Sequence, residues 1–263
     1  MILYTKVRKM TDFKKVSERE TKMRIYPAID IRGGKCVRLR QGVFADMTVY
    51  NDDPVKVALG FKEKGAEYIH VVDLDGALEG YSVNAQVISD IAKETGLPVQ
   101  TGGGIRSLEN IEKKLDAGVA RVIIGTKAVK EPEFVKLAIE TFGAEHIVAG
   151  LDGRNGKAAV AGWEKESESD IIELALRFKD YGLRTVVYTD ISRDGMLTGP
   201  DFDYTTRLVN ETGLDIIASG GVGSEEDIDR IAEKGVEGVI TGKAIYEGKI
   251  DLARVLSKYQ SAV

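Results

Sequence analysis

Residues 27–35 read Pro27-Ala28-Ile29-Asp30-Ile31-Arg32-Gly33-Gly34-Lys35, an apolar run that passes through an aspartate into glycine. A short apolar run that ends in glycine predicts a buried strand followed by a loop. Asp30 then lies where the strand leaves the core, and folds of alternating strands and helices place their chemistry at such points. Asp30 is therefore the first candidate functional residue.

The same plan recurs at residues 147–157, which read Ile147-Val148-Ala149-Gly150-Leu151-Asp152-Gly153-Arg154-Asn155-Gly156-Lys157. The Asp, Arg, Gly and Lys of the two stretches are each 122 positions apart. Three further pairs keep a spacing of 117, namely Gly103 with Gly220, Asp73 with Asp190, and Gly125 with Gly242. Spacing kept over such a length predicts two related halves, each of which supplies one carboxylate.

Short apolar runs alternate with longer amphipathic segments along the chain. Eight strands are expected, at residues 25–29, 68–73, 99–101, 121–124, 147–152, 185–190, 215–219 and 238–241. Eight helices are expected, at residues 54–64, 84–94, 108–117, 131–142, 168–181, 204–211, 225–234 and 252–258. Strict alternation predicts parallel strands, and eight units in about 240 residues fit a closed barrel. We therefore predict one α/β domain at residues 23–263, a (β/α)8 TIM barrel built from two duplicated half-barrels.

Residues 1–22 differ from the rest of the chain. They carry seven Lys or Arg against three Asp or Glu, and they lack the apolar stretch of a signal peptide. We expect an N-terminal extension that lies outside the fold. A functional basic arm is the alternative.

The composition limits the kinds of partner. Of the 263 residues, 43% are hydrophobic and 30% are charged, as in an ordinary soluble protein, and no apolar run is long enough for a membrane. A net charge of −5 argues against nucleic acid as the main partner. The single cysteine, Cys36, excludes an internal disulfide and suits the cytoplasm, and we interpret it as an apolar filler. His70 and His146 are far apart and no Cys/His cluster exists, so no metal is expected.

Glycine clusters end two pairs of predicted strands. They comprise Gly102, Gly103 and Gly104 with Gly125 and Thr126 in the first half, and Ser219, Gly220 and Gly221 with Gly242 and Lys243 in the second. Glycine lets backbone N–H groups approach an anion closely, and a following helix N-terminus adds positive charge. Two such pairs predict two phosphate sites and an elongated bis-phosphate substrate. The alternative is that these glycines only form tight turns.

Asp30 and Asp152 end the first and fifth predicted strands, which face each other across an eight-stranded barrel. One carboxylate there can remove a proton from carbon while the other donates one, which is general acid–base catalysis. The two groups then need different pKa values, set by burial or by neighbours. The alternative is that each Asp caps the next element or pairs with arginine.

Five further positions complete the candidate set. Thr189 can donate a hydrogen bond to a substrate hydroxyl or to Asp152. Arg106 aligns with a glycine in the other half, so it is expected to contact something that only one half needs. Trp163 lies in a long loop after the fifth strand, where it either stacks on a flat ring or anchors the loop. Asp73 and Asp190 are expected to orient loops rather than to react.

Several longer motifs resemble a known family. They are Pro-Ala-Ile-Asp at 27–30, Val-Arg-Leu-Arg-Gln-Gly at 37–42, His-Val-Val-Asp-Leu-Asp-Gly at 70–76, Gly-Gly-Gly-Ile-Arg at 102–106, Arg-Val-Ile-Ile-Gly-Thr at 121–126, Gly-Trp at 162–163, Thr-Asp-Ile-Ser-Arg-Asp-Gly at 189–195 and Ala-Ser-Gly-Gly-Val at 218–222. From residue 23 to about residue 255 the chain is similar to the phosphoribosylformimino-aminoimidazole carboxamide ribotide isomerases of histidine biosynthesis. Two departures, Arg32-Gly33 after the first Asp and Met196 where Thr is expected, concern loop detail.

The resemblance implies an Amadori rearrangement of an aminoaldose to an aminoketose on a substrate with two phosphates, without metal or cofactor. It implies that Asp30 is the base that moves the sugar C2 proton. It also implies that Asp152 is the acid that protonates the ring oxygen, and that Thr189 assists. A cytoplasmic monomer is expected.

Three rival functions stay open. One is the related cyclase of the same pathway, although the stretches at 102–106 and 194–200 favour the isomerase. Another is an isomerase that also accepts phosphoribosylanthranilate. The third is a non-catalytic barrel that senses a phosphate ligand.

Overall fold

The computed structural model describes residues 23–160, 162–163 and 165–260, so the predicted extension at 1–22 lies outside the described residues. The elements follow in the order β1 (Arg24–Arg32), β2 (Lys35–Arg40), β3 (Val43–Asn51), α1 (Pro54–Glu63), β4 (Ile69–Asp73), α2 (Leu74–Glu79), α3 (Ala85–Thr95), β5 (Val99–Gly102), α4 (Leu108–Asp116), β6 (Arg121–Ile124), α5 (Thr126–Lys130), α6 (Glu133–Phe142), β7 (Ile147–Arg154), β8 (Lys157–Val160), β9 (Lys165–Asp170), α7 (Ile171–Asp180), β10 (Thr185–Asp190), α8 (Phe202–Thr212), β11 (Asp215–Ser219), α9 (Glu225–Ala232), β12 (Gly238–Thr241), α10 (Lys243–Tyr246) and α11 (Leu252–Gln260). Within these ranges no helix is long and apolar enough to cross a membrane.

Eight parallel strands close into a barrel. Their order around it is β1, β4, β5, β6, β7, β10, β11 and β12, and β12 pairs again with β1. β1 therefore lies opposite β7, and the pair β5 and β6 lies opposite the pair β11 and β12. The predicted (β/α)8 TIM barrel is confirmed, while the duplication of its halves stays a prediction.

Two antiparallel hairpins were not predicted. β2 and β3 continue from β1, and β8 and β9 continue from β7, so the same kind of excursion follows each of the two opposite strands. Both hairpins rise beyond the carboxyl ends of the barrel strands. The segment at 165–170, part of which was predicted as helix, is the strand β9.

Matched helix starts follow the two glycine clusters. Ser107 caps α4 and Ser224 caps α9, each in a capping box with the residue three positions on. Such a box satisfies N–H groups that the first turn leaves without partners. The two serines are 117 positions apart, the spacing seen among the glycines.

The barrel interior contains an apolar cluster and a group of buried polar side chains. Its apolar cluster consists of Tyr26, Ala28, Ile123, Val148, Val187, Ile217 and Ile240. The buried polar side chains of His70, Gln100 and Arg121 occupy the side of β4, β5 and β6. A second, larger apolar core lies between the strands and the surrounding helices.

The two loop aspartates behave as predicted. Asp73 is fully buried and accepts hydrogen bonds from the Gly76 amide, the Ser82 hydroxyl and the Asn84 side chain. Asp190 accepts from the amide and hydroxyl of Ser192. The second oxygen of Asp190 accepts from Arg193. Because both carboxylates are engaged in this way, both residues order the loops that follow β4 and β10.

Candidate active site

A cavity of about 680 Å³ opens at the carboxyl ends of the barrel strands. Every predicted site residue lines it: Asp30, Gly102, Gly103, Gly104, Arg106, Gly125, Thr126, Asp152, Trp163, Thr189, Ser219, Gly220, Gly221, Gly242 and Lys243. The fold therefore brings together residues that are up to 213 positions apart in the chain. The cavity wall also includes Arg38, His70 and Asp194, which were not predicted as site residues.

Asp30 is paired with an arginine from the adjoining hairpin. The Nη1 atom of Arg38 lies 2.5 Å from Oδ2 of Asp30, and both side chains are largely buried. β1 and β2 pair with Asp30 opposite Val37, which places Arg38 beside the carboxylate. Burial opposes the charge of Arg38, yet the neighbouring carboxylates of Asp30 and Asp194 raise its pKa overall. Arg38 is therefore a fixed cation on one oxygen of Asp30.

Asp152 has a different environment from Asp30. Burial raises the pKa of Asp152, and hydrogen bonds from Trp163 and Thr189 partly offset that rise. The indole Nε1 of Trp163 lies 3.0 Å from Oδ2 of Asp152. Thr189 lies opposite Asp152 where β10 pairs with β7. Burial therefore favours the neutral form of Asp152.

Asp194 is a third carboxylate at this site, in the loop after β10. Burial raises its pKa to about 6, and the carboxylates of Asp30 and Asp152 add to the rise. The cations of Arg38 and Lys243 act in the opposite direction. In the sequence Asp194 is the second Asp of Thr-Asp-Ile-Ser-Arg-Asp-Gly, four residues after Asp190.

Close packing by itself already requires glycine in these loops. A Cβ added to Gly103 would lie 2.1 Å from the carbonyl oxygen of Asp73, and one added to Gly220 would lie 2.6 Å from that of Asp190. Both glycines have positive φ, +100° and +91°. The interpretation that these glycines form tight turns is therefore correct for Gly103 and Gly220. The same turns leave both loops on the cavity wall at opposite sides of the barrel.

Basic side chains accompany each glycine loop. Lys127 and Lys130 of α5 line the cavity beside Gly125, and Lys243 begins α10 beside Gly242. The ammonium of Lys243 donates to the carbonyl oxygen of Gly195 at 2.8 Å. Arg106 lies over Gly80 and donates to the carbonyl oxygen of Leu78 at 3.2 Å. Positive charge is thus available at both ends of the cavity.

A closed (β/α)8 barrel with a polar cavity at the carboxyl ends of its strands is the architecture of the TIM-barrel enzymes. The chain belongs to the histidine biosynthesis protein family, whose pattern matches residues 24–251.

Relatives over nearly the whole chain agree with this family. A protein of Lachnoclostridium phytofermentans is 56% identical over 230 residues, which cover 88% of this chain and 96% of that protein. Proteins of Thermoanaerobacter pseudethanolicus and Thioalkalivibrio sulfidiphilus are 49% and 51% identical, over 89% and 88% of this chain and 98% and 97% of their own length. All three are named 1-(5-phosphoribosyl)-5-((5-phosphoribosylamino)methylideneamino)imidazole-4-carboxamide isomerase.

Proposed function

We propose that this chain is the isomerase of histidine biosynthesis that converts the phosphoribosylamino form of this imidazole carboxamide ribotide to its phosphoribulosyl form, with Asp30 as base and Asp152 as acid. The observation that carries the assignment of roles is the placement of the two carboxylates on opposite strands, with unlike surroundings, in one cavity. The relatives named above support the reaction itself.

The acid acts first in this mechanism. A proton passes from Asp152 to the ring oxygen of the sugar, the bond from that oxygen to C1 breaks, and the nitrogen lone pair forms a C=N bond to C1. The buried setting of Asp152 raises its pKa and so increases the fraction that carries a proton. Asp194, whose pKa is raised to about 6, is a second group able to supply that proton.

The base acts next. Asp30 removes the proton on C2, the C1–C2 double bond forms, and the C=N electrons return to nitrogen. Reprotonation at C1 and loss of the C2 hydroxyl proton then give the ketone. Arg38 donates to Oδ2 of Asp30 at 2.5 Å, which holds the carboxylate in place and leaves Oδ1 to take the proton.

The two glycine loops supply the binding. The glycines of each loop line the cavity, where backbone N–H groups can approach an anion, and each loop has at least one lysine nearby, so a phosphate at each end of the substrate is the ligand that fits. The loops after β5 and β6 lie opposite those after β11 and β12, so the line between these loops crosses the line between Asp30 and Asp152. A substrate stretched between the loops therefore passes between the carboxylates. One chain supplies all of these groups, so we propose that a monomer is active.

Steady-state turnover of the purified protein on two substrates tests the function. The substrates are the phosphoribosyl aminoimidazole carboxamide ribotide and phosphoribosylanthranilate, whose rearrangement is analogous. Turnover of the first alone supports a dedicated isomerase. Turnover of both makes the chain a dual-substrate enzyme, and turnover of neither contradicts the proposal and favours the cyclase or the phosphate sensor.

A further inference from the structure

The turn between β1 and β2 is held by two side chains of the segment that follows β4. The amide of Gly33 donates to Oδ2 of Asp75 at 2.7 Å, and the amide of Gly34 donates to Oδ1 of Asn84 at 3.2 Å. The two side chains are also joined to each other, since Nδ2 of Asn84 donates to the same Oδ2 of Asp75 at 2.9 Å. We call Asp75 and Asn84 the turn clamp. The mechanism above uses neither residue.

The turn clamp is anchored in the protein core. Asn84 is 6% exposed, and its Nδ2 donates to Oδ1 of the fully buried Asp73 at 2.7 Å. The hydroxyl of Ser82 donates to the other oxygen of Asp73 at 2.8 Å, and Nζ of Lys114, a buried lysine of α4, lies 3.1 Å from that hydroxyl. An ionised carboxylate only accepts, so the NH2 group of Asn84 must face the two aspartates and its oxygen must face the turn. The orientation of the Asn84 amide is therefore fixed.

The other half of the barrel uses the corresponding position differently. Asn84 directly precedes α3, yet among the described residues its side chain makes no capping bond to that helix. The residue 117 positions further on is Asp201, which caps α8 by accepting from the Tyr204 amide at 3.0 Å. The turn after β7 is held by backbone instead, since the carbonyl oxygen of Gly156 accepts from the Ile171 amide at 3.0 Å. The first half therefore gives up a helix cap and gains the turn clamp.

The position of this turn determines where Arg38 lies. Gly33 and Gly34 have φ values of +55° and +76°, the two positive values of a common two-residue hairpin turn. In a hairpin the turn sets the register of the strands, and here that register places Asp30 opposite Val37. Arg38 follows directly and donates to Oδ2 of Asp30. A displaced turn therefore moves the guanidinium relative to the proposed base.

We propose that Asn84 is a positioning residue for the base. Together with Asp75 it holds the β1–β2 turn, which keeps Arg38 on Oδ2 of Asp30 and leaves Oδ1 directed at the proton on C2 of the sugar. Within the described part of the chain neither clamp residue lines the cavity, so both act through the hairpin and not by contact with substrate. This inference rests on the proposed function.

Asn84→Ser separates the clamp from the helix. Serine is a good N-cap, so the start of α3 is kept, but its side chain is too short to reach both the turn and Asp75. We expect kcat to fall roughly 10–100-fold, the effect of a slightly misplaced group at a reacting centre, with KM within about threefold. The matched control is Asp201→Ser, which keeps a helix cap at the corresponding position and is expected to leave kcat unchanged. An equal fall in both variants overturns the proposal.

A double-mutant cycle distinguishes positioning from a general loss of structure. The placement of the base matters only while the base is present. In an Asp30→Asn background, Asn84→Ser is therefore expected to lower kcat by less than about threefold, whereas a general defect costs the same factor in both backgrounds. Single-turnover measurements with excess enzyme follow the slow variants. An equal cost of Asn84→Ser with and without Asp30 overturns the proposal.

Both hydrogen bonds to Asp75 use the same oxygen, which provides a second pair of variants. Asp75→Asn keeps an acceptor at that point, while Asp75→Ala removes it. We expect kcat of Asp75→Asn to stay close to that of the unchanged protein and kcat of Asp75→Ala to fall. If Asn84→Ser does not fold, this pair decides, and equal turnover of the two Asp75 variants overturns the proposal.

Amide hydrogen exchange of Gly33 and Gly34, followed by NMR, tests the clamp without turnover. We expect the Gly34 amide to exchange at least about tenfold faster in Asn84→Ser than in the unchanged protein, because local opening exposes an amide that has lost its acceptor. Unchanged exchange overturns the clamp even where kcat falls. If the unchanged protein turns over neither substrate, the proposed function fails, while the exchange rates still report whether Asn84 holds the turn.

Discussion

The indole of Trp163 donates a hydrogen bond to the carboxylate of Asp152, with 3.0 Å between Nε1 and Oδ2. Trp163 lies between β8 and β9, in the hairpin that follows β7, and it holds a φ of +74°, which is uncommon for a residue with a side chain. The position of this hairpin therefore affects the protonation of Asp152. From the sequence, Trp163 is expected either to stack on a flat ring or to anchor its loop. The structure shows in addition a direct contact between Trp163 and the proposed acid.

Trp163→Phe keeps an aromatic ring and removes the donor. The hydrogen bond lowers the pKa of Asp152, so its loss raises that pKa further. An acid that must be protonated loses activity as pH rises through its pKa, so the alkaline limb of kcat/KM is expected to move to higher pH. A pH–rate profile of both proteins measures this, and a limb that stays in place or moves to lower pH argues against Asp152 as the acid.

Asp30→Asn is expected to lower kcat by roughly 10²–10⁴-fold, the usual contribution of a general base. Ligand affinity is expected to change little, because we propose that the glycine loops on the other two sides of the cavity bind the two phosphates. Steady-state kinetics and calorimetric titration with product measure the two effects separately.

The matched control for Asp30→Asn is Asp116→Asn. Asp116 is the last residue of α4, an exposed carboxylate at the opposite end of the barrel. The Asp116→Asn substitution makes the same chemical change away from the cavity and is expected to leave kcat unchanged. Equal kinetics for the two variants would contradict the role given to Asp30.

Asp194→Asn tests the third carboxylate through stability. The pKa of Asp194 is raised from 3.8 to about 6 in the folded protein, so between these pH values the folded state binds more protons than the unfolded state. The free energy of unfolding then falls as pH rises from about 4 to about 6. Asn does not ionise, so the variant is expected to be more stable than the unchanged protein at pH 7, by at most about 3 kcal/mol at 1.36 kcal/mol for each pKa unit. Urea unfolding at pH 4 and pH 7 measures the difference, and a gain that is equal at both pH values contradicts this account.

The barrel could be predicted because its strands are short apolar runs that end in glycine, a pattern that burial on both faces imposes. Asp30 and Asp152 could be predicted because they occupy equivalent positions in the two repeated stretches. The two hairpins were missed, since β2 and β3 carry charged residues among the apolar ones and pair only with each other and with the end of β1. Gln100 and His70 were missed for another reason. Their contact exists only once neighbouring strands are in register, and a linear pattern does not give that register.

The proximity of Gly42 to Trp163 gives a test with a close internal match. Gly42 has a φ of +72°, and a Cβ added there would lie 2.5 Å from Cε3 of the indole. Gly34, in the turn between β1 and β2, has a φ of +76° and nothing within 4 Å of an added Cβ. Gly42→Ala and Gly34→Ala therefore impose the same backbone strain, about 1–2 kcal/mol, and only the first displaces the ring.

Trp163 is the single tryptophan of the chain, so its fluorescence reports that displacement directly. We expect both variants to lose similar stability in urea, while Gly42→Ala alone shifts the emission maximum and lowers kcat roughly 10–100-fold, because a small misplacement of a group at the reacting centre has an effect of that size. If Gly34→Ala lowers kcat as much as Gly42→Ala, backbone strain in the turns that flank β2 accounts for the loss and the displacement of the indole does not. If the emission shifts in Gly42→Ala while kcat is unchanged, the bond from Trp163 to Asp152 is not needed for turnover.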